Sequence, residues 1–331
     1  MLNIAQIGVG YWGPNLLRNL IANKQCKVTM VSDLDANRRD YVHRLYPAVR
    51  VTDRAQDVFE DKSVDAVVIA TPVATHSELA TSALKSGKHI LVEKPLAKSV
   101  SEIEKIGNLA KKKNRVVMAG HTFLYNAAVR YVKKLIDGGE LGKIRYIYSQ
   151  RLNLGRIRSD VDALWNLAPH DVSIIQYWLG DPTPVSVVRR GLDYIQQDID
   201  DVVFLNIIYP NKIMANIHVS WLDPNRVRSM TVVGSKKMVV YDDTAENKIA
   251  IFDKGIDRMA VVGEHMDFDQ AHFVQLNHRS GDVLLPKVDF QEPLKVEIEH
   301  FIDCIQNGTE CITGIEHAKK VVEILASNER P

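Results

Sequence analysis

Asn3-Ile4-Ala5-Gln6-Ile7-Gly8-Val9-Gly10-Tyr11-Trp12-Gly13 joins a strand-like apolar run to three glycines in the spacing GxGxxG, and a helical pattern follows. The three glycines do different things. Gly8 permits the tight turn, Gly10 lets the backbone approach a pyrophosphate, and Gly13 lets helix and strand pack closely. The amides that open the helix then face the phosphates, with Tyr11 and Trp12 in the turn itself. Twenty residues past Gly13 stands Asp33, at the end of the second strand, where a carboxylate accepts hydrogen bonds from ribose hydroxyls. A carboxylate there repels a 2′-phosphate, so NAD is the expected cofactor. Arg38 and Arg39 keep NADP open, because an arginine nearby accommodates that phosphate.

Outward from this turn, short apolar runs alternate with helical patterns as far as residue 120, the sequence form of a parallel sheet wrapped by helices. Strands are expected at 3–8, 27–32, 49–52, 65–70, 89–92 and 115–119. Ser99 with Glu102 reads as a capping box for a helix ending in Lys111-Lys112-Lys113, where cations suit the negative end of the dipole. After 120 the rhythm changes. A helix over 126–137 and a strand over 143–151 precede an irregular stretch and a helix around 166–179. Strand-like segments then follow one another at 185–190, 202–209, 212–221, 229–233, 238–241 and 248–252. Consecutive strands imply antiparallel pairing, and two amphipathic helices, 294–306 and 315–327, end the chain. The expected fold class is an α/β dinucleotide-binding domain, 1–120, followed by an α+β domain, 121–331, with a mostly antiparallel sheet.

The 331 residues include 42 Lys plus Arg against 41 Asp plus Glu, and 46 % are hydrophobic, the profile of a soluble globular protein of two domains. A formal charge of +1 offers no global attraction for nucleic acid or an anionic membrane surface, so neither is expected as a partner. No apolar run approaches the roughly 18 residues that span a bilayer. The strand-like run from Leu2 leaves no space for a signal peptide, and a cytoplasmic location is expected. Asn307-Gly308 reads as a helix end. Cys26, Cys304 and Cys311 form no CxxC pair and read as reduced thiols. His265, His272 and His278 lack tight ligand spacing, and no metal is expected.

Two further segments stand where a parallel sheet presents its carboxyl ends to a ligand. Thr71-Pro72, with His76, follows the strand 65–70, and Glu93-Lys94-Pro95 follows the strand 89–92. Together with the glycine turn, Asp33 and a later His170, they resemble the glucose-fructose oxidoreductase / inositol dehydrogenase / rhizopine-catabolism (Gfo/Idh/MocA) family. Glu-Lys-Pro is its most specific mark, and the resemblance covers nearly the whole chain. It implies a Rossmann domain followed by a domain with a large open sheet, which commonly joins subunits into homodimers or homotetramers. It also implies a Lys94-Pro95 peptide that is often cis, and cofactor contacts from Thr71, Pro72, His76, Glu93 and Lys94. Lys94 would lie beside the nicotinamide and the substrate hydroxyl, with His170 as general base. Asn166, four residues earlier, shares a helix face with His170. That position is Asp in inositol dehydrogenase-like members, so Asn166 is a neutral hydrogen-bond partner here. Leu124 stands where many relatives carry arginine, while Tyr125-Asn126 is retained, so Tyr125 is expected at a substrate site with a different hold.

Hydride transfer from a secondary alcohol requires the hydroxyl proton to leave. A histidine of near-neutral pKa is suited to accept it, and Lys94 can stabilise the developing alkoxide. Arg151, Arg156 and Arg158 lie close in sequence to the catalytic helix, and guanidinium forks suit a diphosphate. Trp165 and Trp221 add aromatic surface. This segment is similar to those of family members in nucleotide-sugar pathways, including UDP-N-acetylglucosamine-type 3-dehydrogenases. The expected substrate is a nucleotide-activated sugar of the UDP-N-acetylhexosamine type. A free polyol or inositol would use the same Lys94/His170 pair without the arginines. A non-catalytic dinucleotide-sensing regulator would need neither Lys94 nor His170.

Overall fold

The computed structural model describes residues 1–155, 157–260 and 274–327. The described chain forms two compact units, one of 1–127, 172–181 and 290–327, the other within 128–171 and 182–289. In the first, β1 (Leu2–Ile7), β2 (Cys26–Ser32), β3 (Arg50–Thr52), β4 (Ala66–Ile69), β5 (His89–Glu93) and β6 (Val117–Gly120) form a parallel sheet in the order β3-β2-β1-β4-β5-β6. The order reverses between β1 and β4, which places the ligand crevice of such a sheet at the carboxyl end of β1. Ala66–Ile69 is buried throughout, as a strand covered on both faces must be. The strands are joined by α1 (Gly13–Ala22), α2 (Ala36–Leu45), α3 (Ala55–Glu60), α4 (His76–Lys85) and α5 (Val100–Lys113). The Ser99/Glu102 capping box is formed at the start of α5, and Asn114 ends that helix in the left-handed conformation.

The second unit takes α6 (Ala127–Asp137) from Ala128 onward and α7 (Ala163–Leu179) as far as Asp171. Among the described residues its strands are β7 (Ile144–Leu154), β8 (Ser186–Leu192), β9 (Val202–Tyr209), β10 (Ile213–Ser220), β11 (Leu222–Gly234), β12 (Met238–Asp242), β13 (Ile249–Ala260) and β14 (Val274–Leu284). They form one open sheet in the order β14-β13-β12-β11-β7-β10-β9-β8. Pairing is antiparallel as expected except between β7 and β10, which run parallel because α7, β8 and β9 intervene as a long crossover. β11 and β13 extend beyond their expected limits, and β14 was not expected. Residues 277–284 of β14 are mostly polar and exposed, an edge strand without the apolar alternation that a sequence reading detects.

The last two helices, α8 (Pro293–Asn307) and α9 (Ile315–Ala326), belong to the first unit, not to the second as a division at residue 120 would have it. α9 packs on α5 and β6, and α8 on α1. Gly107 permits the close approach, since a Cβ there would stand 2.8 Å from the Ile315 side chain. Gly308, at φ +69°, ends α8 as the Asn-Gly pair suggested. Among the described residues no helix is long and apolar enough to cross a membrane.

Candidate active site

The glycine turn closes β1 onto α1. Gly8 has φ +94°, and a Cβ there would lie 2.6 Å from the Ala70 carbonyl oxygen; a Cβ on Gly13 would lie 2.6 Å from the Gly8 oxygen. Buried Gln6 braces the turn, its Nε2 donating to the carbonyls of Gly8 and Gly13 at 2.9 Å each. Gly10 faces open space apart from the Arg38 guanidinium, 3.4 Å from its would-be Cβ. α1 begins with no side-chain cap and no acidic residue in its first turn, so its amides remain for an anion. Tyr11 is 93 % exposed beside this opening. Asp33 at the end of β2 accepts from the Val9 amide at 2.7 Å and from the Asp35 amide at 2.9 Å. Arg39 is spent on the Asp33 and Leu34 carbonyls, whereas half-exposed Arg38 sits 3.7 Å from the Asp33 carboxylate. An open Gly10, uncapped amides and a carboxylate fixed at the end of β2 fit a dinucleotide without a 2′-phosphate.

At the ends of β4 and β5 the structure assembles a second layer. His76 is buried, with Nδ1 at 2.8 Å from the Pro95 carbonyl and Nε2 at 2.9 Å from the Thr71 carbonyl. It thus braces two of the expected cofactor segments against each other, and burial holds its pKa below the usual histidine range. The Lys94-Pro95 peptide is cis. Glu93 accepts from the Lys94 amide at 3.2 Å and from the Trp12 side chain, tying the lysine to the glycine turn. Burial pushes the Glu93 pKa up to about 7. Gly120 makes room for this carboxylate, since a Cβ there would stand 3.3 Å from its Oε1.

Glu297 on α8, to which the sequence reading gave no role, is fully buried in the same layer and accepts from Thr122 Oγ1 at 2.8 Å. Burial and the Glu93 charge hold it well above the usual carboxylate range. Its sequence signals are an acidic residue on the apolar face of an amphipathic helix and its place in the closing helix, Glu297–Phe301, that the family resemblance covers. Tyr125, expected at the substrate, is buried in the first unit with its hydroxyl 3.2 Å from Thr313 Oγ1 and its ring beside His300.

In the second unit Asp162 caps α7 through the Trp165 amide at 2.9 Å, so the helix starts at Ala163 and places Trp165, Asn166 and His170 on it. Pro169 lies inside the helix and has no N–H for the Trp165 carbonyl. Asn166 Oδ1 accepts from the buried Trp221 indole at 3.2 Å, which turns the amide donors of Asn166 away from Trp221. Arg151 is buried and donates through Nε to Asp171 Oδ2 at 2.6 Å, while Ser149 Oγ donates to Asp171 Oδ1 at 2.5 Å. That pair locks the position next to His170. Arg158 lies at the surface, paired through two hydrogen bonds with Asp160. Arg156 lies outside the described residues, as do His265 and His272. The structure brings the glycine turn, Asp33, Thr71, His76, Glu93 and Lys94 together in the first unit, and carries Asn166, His170, Trp165, Arg151 and Arg158 on the second.

Fold and cradle define a dinucleotide-binding Rossmann domain joined to an open-sheet domain. Residues 2–121 match the family model described as the oxidoreductase family with NAD-binding Rossmann fold, and residues 129–240 match the GFO/IDH/MocA C-terminal domain. The chain belongs to the Gfo/Idh/MocA oxidoreductase family, and its first domain is an NAD-binding one. It is 25 % identical over 328 residues to a scyllo-inositol 2-dehydrogenase (NAD(+)) of Bacillus subtilis, covering 94 % of this chain and 89 % of that one. It is 26 % identical over 230 residues to a 2,7-anhydro-N-acetylneuraminate hydratase of Escherichia coli, covering 66 % of this chain and 61 % of the relative. Several curated relatives are thus matched over only about 60 % of their length. A solved UDP-N-acetylglucosamine 3-dehydrogenase, GnnA from Acidithiobacillus ferrooxidans, shares the fold with a TM-score of 0.79 at 23 % identity, over 98 % of this chain and 95 % of that one.

Proposed function

We propose that the protein is an NAD-dependent dehydrogenase that interconverts a secondary alcohol and a ketone on a sugar or cyclitol ring. The observation that carries this reading is the Glu93 carboxylate, which holds Trp12 of the nucleotide turn and the backbone of Lys94 at once. A lysine fixed beside a dinucleotide cradle suits charge stabilisation at a reacting oxygen. Bound NAD supplies the hydride acceptor. Lys94 steadies the developing alkoxide, His170 takes the hydroxyl proton, and Asn166 donates a hydrogen bond from the amide group that Trp221 orients. Lys94→Ala and His170→Ala are each expected to lower kcat by about 10²–10⁴-fold while NAD still binds in a fluorescence titration. Unchanged turnover in Lys94→Ala would remove Lys94 from this mechanism, and NAD binding without turnover of any alcohol would favour a dinucleotide-sensing regulator.

Two substrate classes remain, each with its own support. The burial of Arg151 against Asp171 removes one cation from the expected diphosphate grip, and the relative aligned along 94 % of the chain is named an inositol dehydrogenase. A nucleotide-activated sugar of the UDP-N-acetylhexosamine type is supported by Arg158, whose partner Asp160 is exposed and displaceable by a diphosphate. NADH formation with UDP-sugars against myo-inositol, scyllo-inositol and free hexoses separates the classes. Arg158→Ala should raise KM only for a UDP-sugar.

Strands β7, β9 and β10 expose Tyr146, Tyr148, Phe204, Ile208 and Met214, each 37–45 % accessible, on one sheet face. We assign to this face the contact of a homodimer or homotetramer. Cys26, Cys304 and Cys311 are free thiols, which suits a reducing compartment and a cytoplasmic location.

A further inference from the structure

His300, Cys304 and Cys311 were not read as a group in the sequence, yet the fold gathers them. His300 and Cys304 are one turn apart on α8, and the left-handed Gly308 reverses the chain so that Cys311 returns against that helix. Their three ligand atoms all lie within 4.8 Å of one another, and Cys304 Sγ stands 3.5 Å from His300 Nε2. Tetrahedral zinc, with Zn–S of about 2.3 Å and Zn–N of about 2.0 Å, sets sulfur and nitrogen about 3.5 Å apart.

The return of the loop is held by bonds that do not involve the sulfurs. Asp303 accepts from Asn307 Nδ2 at 2.6 Å and from Thr309 Oγ1. Beyond the cysteine, the Thr313 carbonyl accepts from the Ala119 amide at 2.9 Å, and the Thr313 hydroxyl meets Tyr125. The ligand set is therefore preorganised.

We propose that His300, Cys304 and Cys311 form a binding site for one borderline-soft divalent cation of the zinc class, with a fourth position left to water. The site lies wholly within the first unit and does not depend on the substrate proposed above. Binding forms two metal–sulfur bonds and one metal–nitrogen bond and releases the thiol protons to solvent. The Ile312 amide donates to His300 Nε2 at 3.2 Å, and ligation replaces that long contact with a metal bond to the same lone pair. The bound ion would clamp the segment 308–314 to α8, and through Thr313 to β6.

The test is titration of the reduced full-length protein with Cd²⁺, read by thiolate-to-metal charge-transfer absorption, and with Zn²⁺ against a chromophoric chelator. One ion per chain is expected, with thiolate absorption and a rise in Tm. Cys311→Ser and His300→Ala should each weaken binding at least tenfold while NAD binding shows that the fold persists. Cys311 is part-exposed, so its variant keeps the test available if Cys304→Ser fails to fold. Absence of Cd²⁺–thiolate absorption overturns the proposal. So does affinity unchanged in Cys311→Ser, which would place the ion elsewhere. A Cys304–Cys311 disulfide as the resting state, seen as a two-proton mass deficit, would overturn it as well.

Discussion

Glu93 combines two demands that pull its charge in opposite directions. Burial favours the protonated acid, while the Trp12 side chain, the Lys94 amide and the Lys94 charge favour the carboxylate, and the balance lies at about 7. A folded pKa above the unfolded value contributes stability below about 4.5 that is lost as pH rises through about 7. Glu93→Gln should therefore stabilise the fold at pH 8 relative to wild type, by on the order of 1–3 kcal/mol in urea unfolding, and much less at pH 5. Equal shifts at both values would show that Glu93 does not change its protonation between pH 5 and pH 8. Arg151 illustrates what a residue's identity leaves open. Its guanidinium suits a diphosphate, but its partner Asp171, twenty residues on, makes it a buried ion pair. Asp171→Ala should cost about 3–5 kcal/mol by leaving that cation uncompensated, measured by urea unfolding. Ser173, His317 and Asp181 likewise share the residue types of a hydrolytic triad, with contacts of 2.8 and 2.9 Å. Ser173 is wholly buried, so the three act as a structural tie between α9 and the segment 172–181.

At the level of elements, local rules were legible where local forces decide. The Ser99/Glu102 box caps α5 as read, and Ser99→Ala should cost about 1 kcal/mol in the same unfolding assay. The β5–β6 edge holds a pH-sensitive contact that sequence did not show. His89 Nδ1 accepts the Val116 amide at 3.0 Å, and burial lowers its pKa to about 4. A depressed folded pKa gives stability that is complete above about 6.5 and lost as pH falls through about 4. Wild type should lose on the order of 1 kcal/mol between pH 7 and pH 5, after allowance for partial exposure, and His89→Gln should lose less. An identical pH slope in both proteins would remove His89 from the account. β14 escaped notice because an exposed edge strand has no apolar period, and the parallel β7/β10 pair because neighbours in sequence are not obliged to be neighbours in a sheet.

For the whole molecule, the exposed aromatic face of β7, β9 and β10 predicts self-association. Phe204→Glu should shift the protein to a smaller species in size-exclusion chromatography with light scattering, with a stability loss of no more than about 1 kcal/mol. The sequence by itself determined the glycine turn, the carboxylate at Asp33, the Glu93-Lys94-Pro95 segment and the alternation of strands and helices, since these rest on backbone freedom, spacing of a few residues and periodic burial. Only the tertiary structure decided that α8 and α9 return to the first unit, that Glu297 joins Glu93, that Arg151 is consumed by Asp171, and that His300, Cys304 and Cys311 converge. Each of these depends on which surface an apolar face covers. Many surfaces satisfy one amphipathic pattern, and the choice among them is made by the packing of the whole chain.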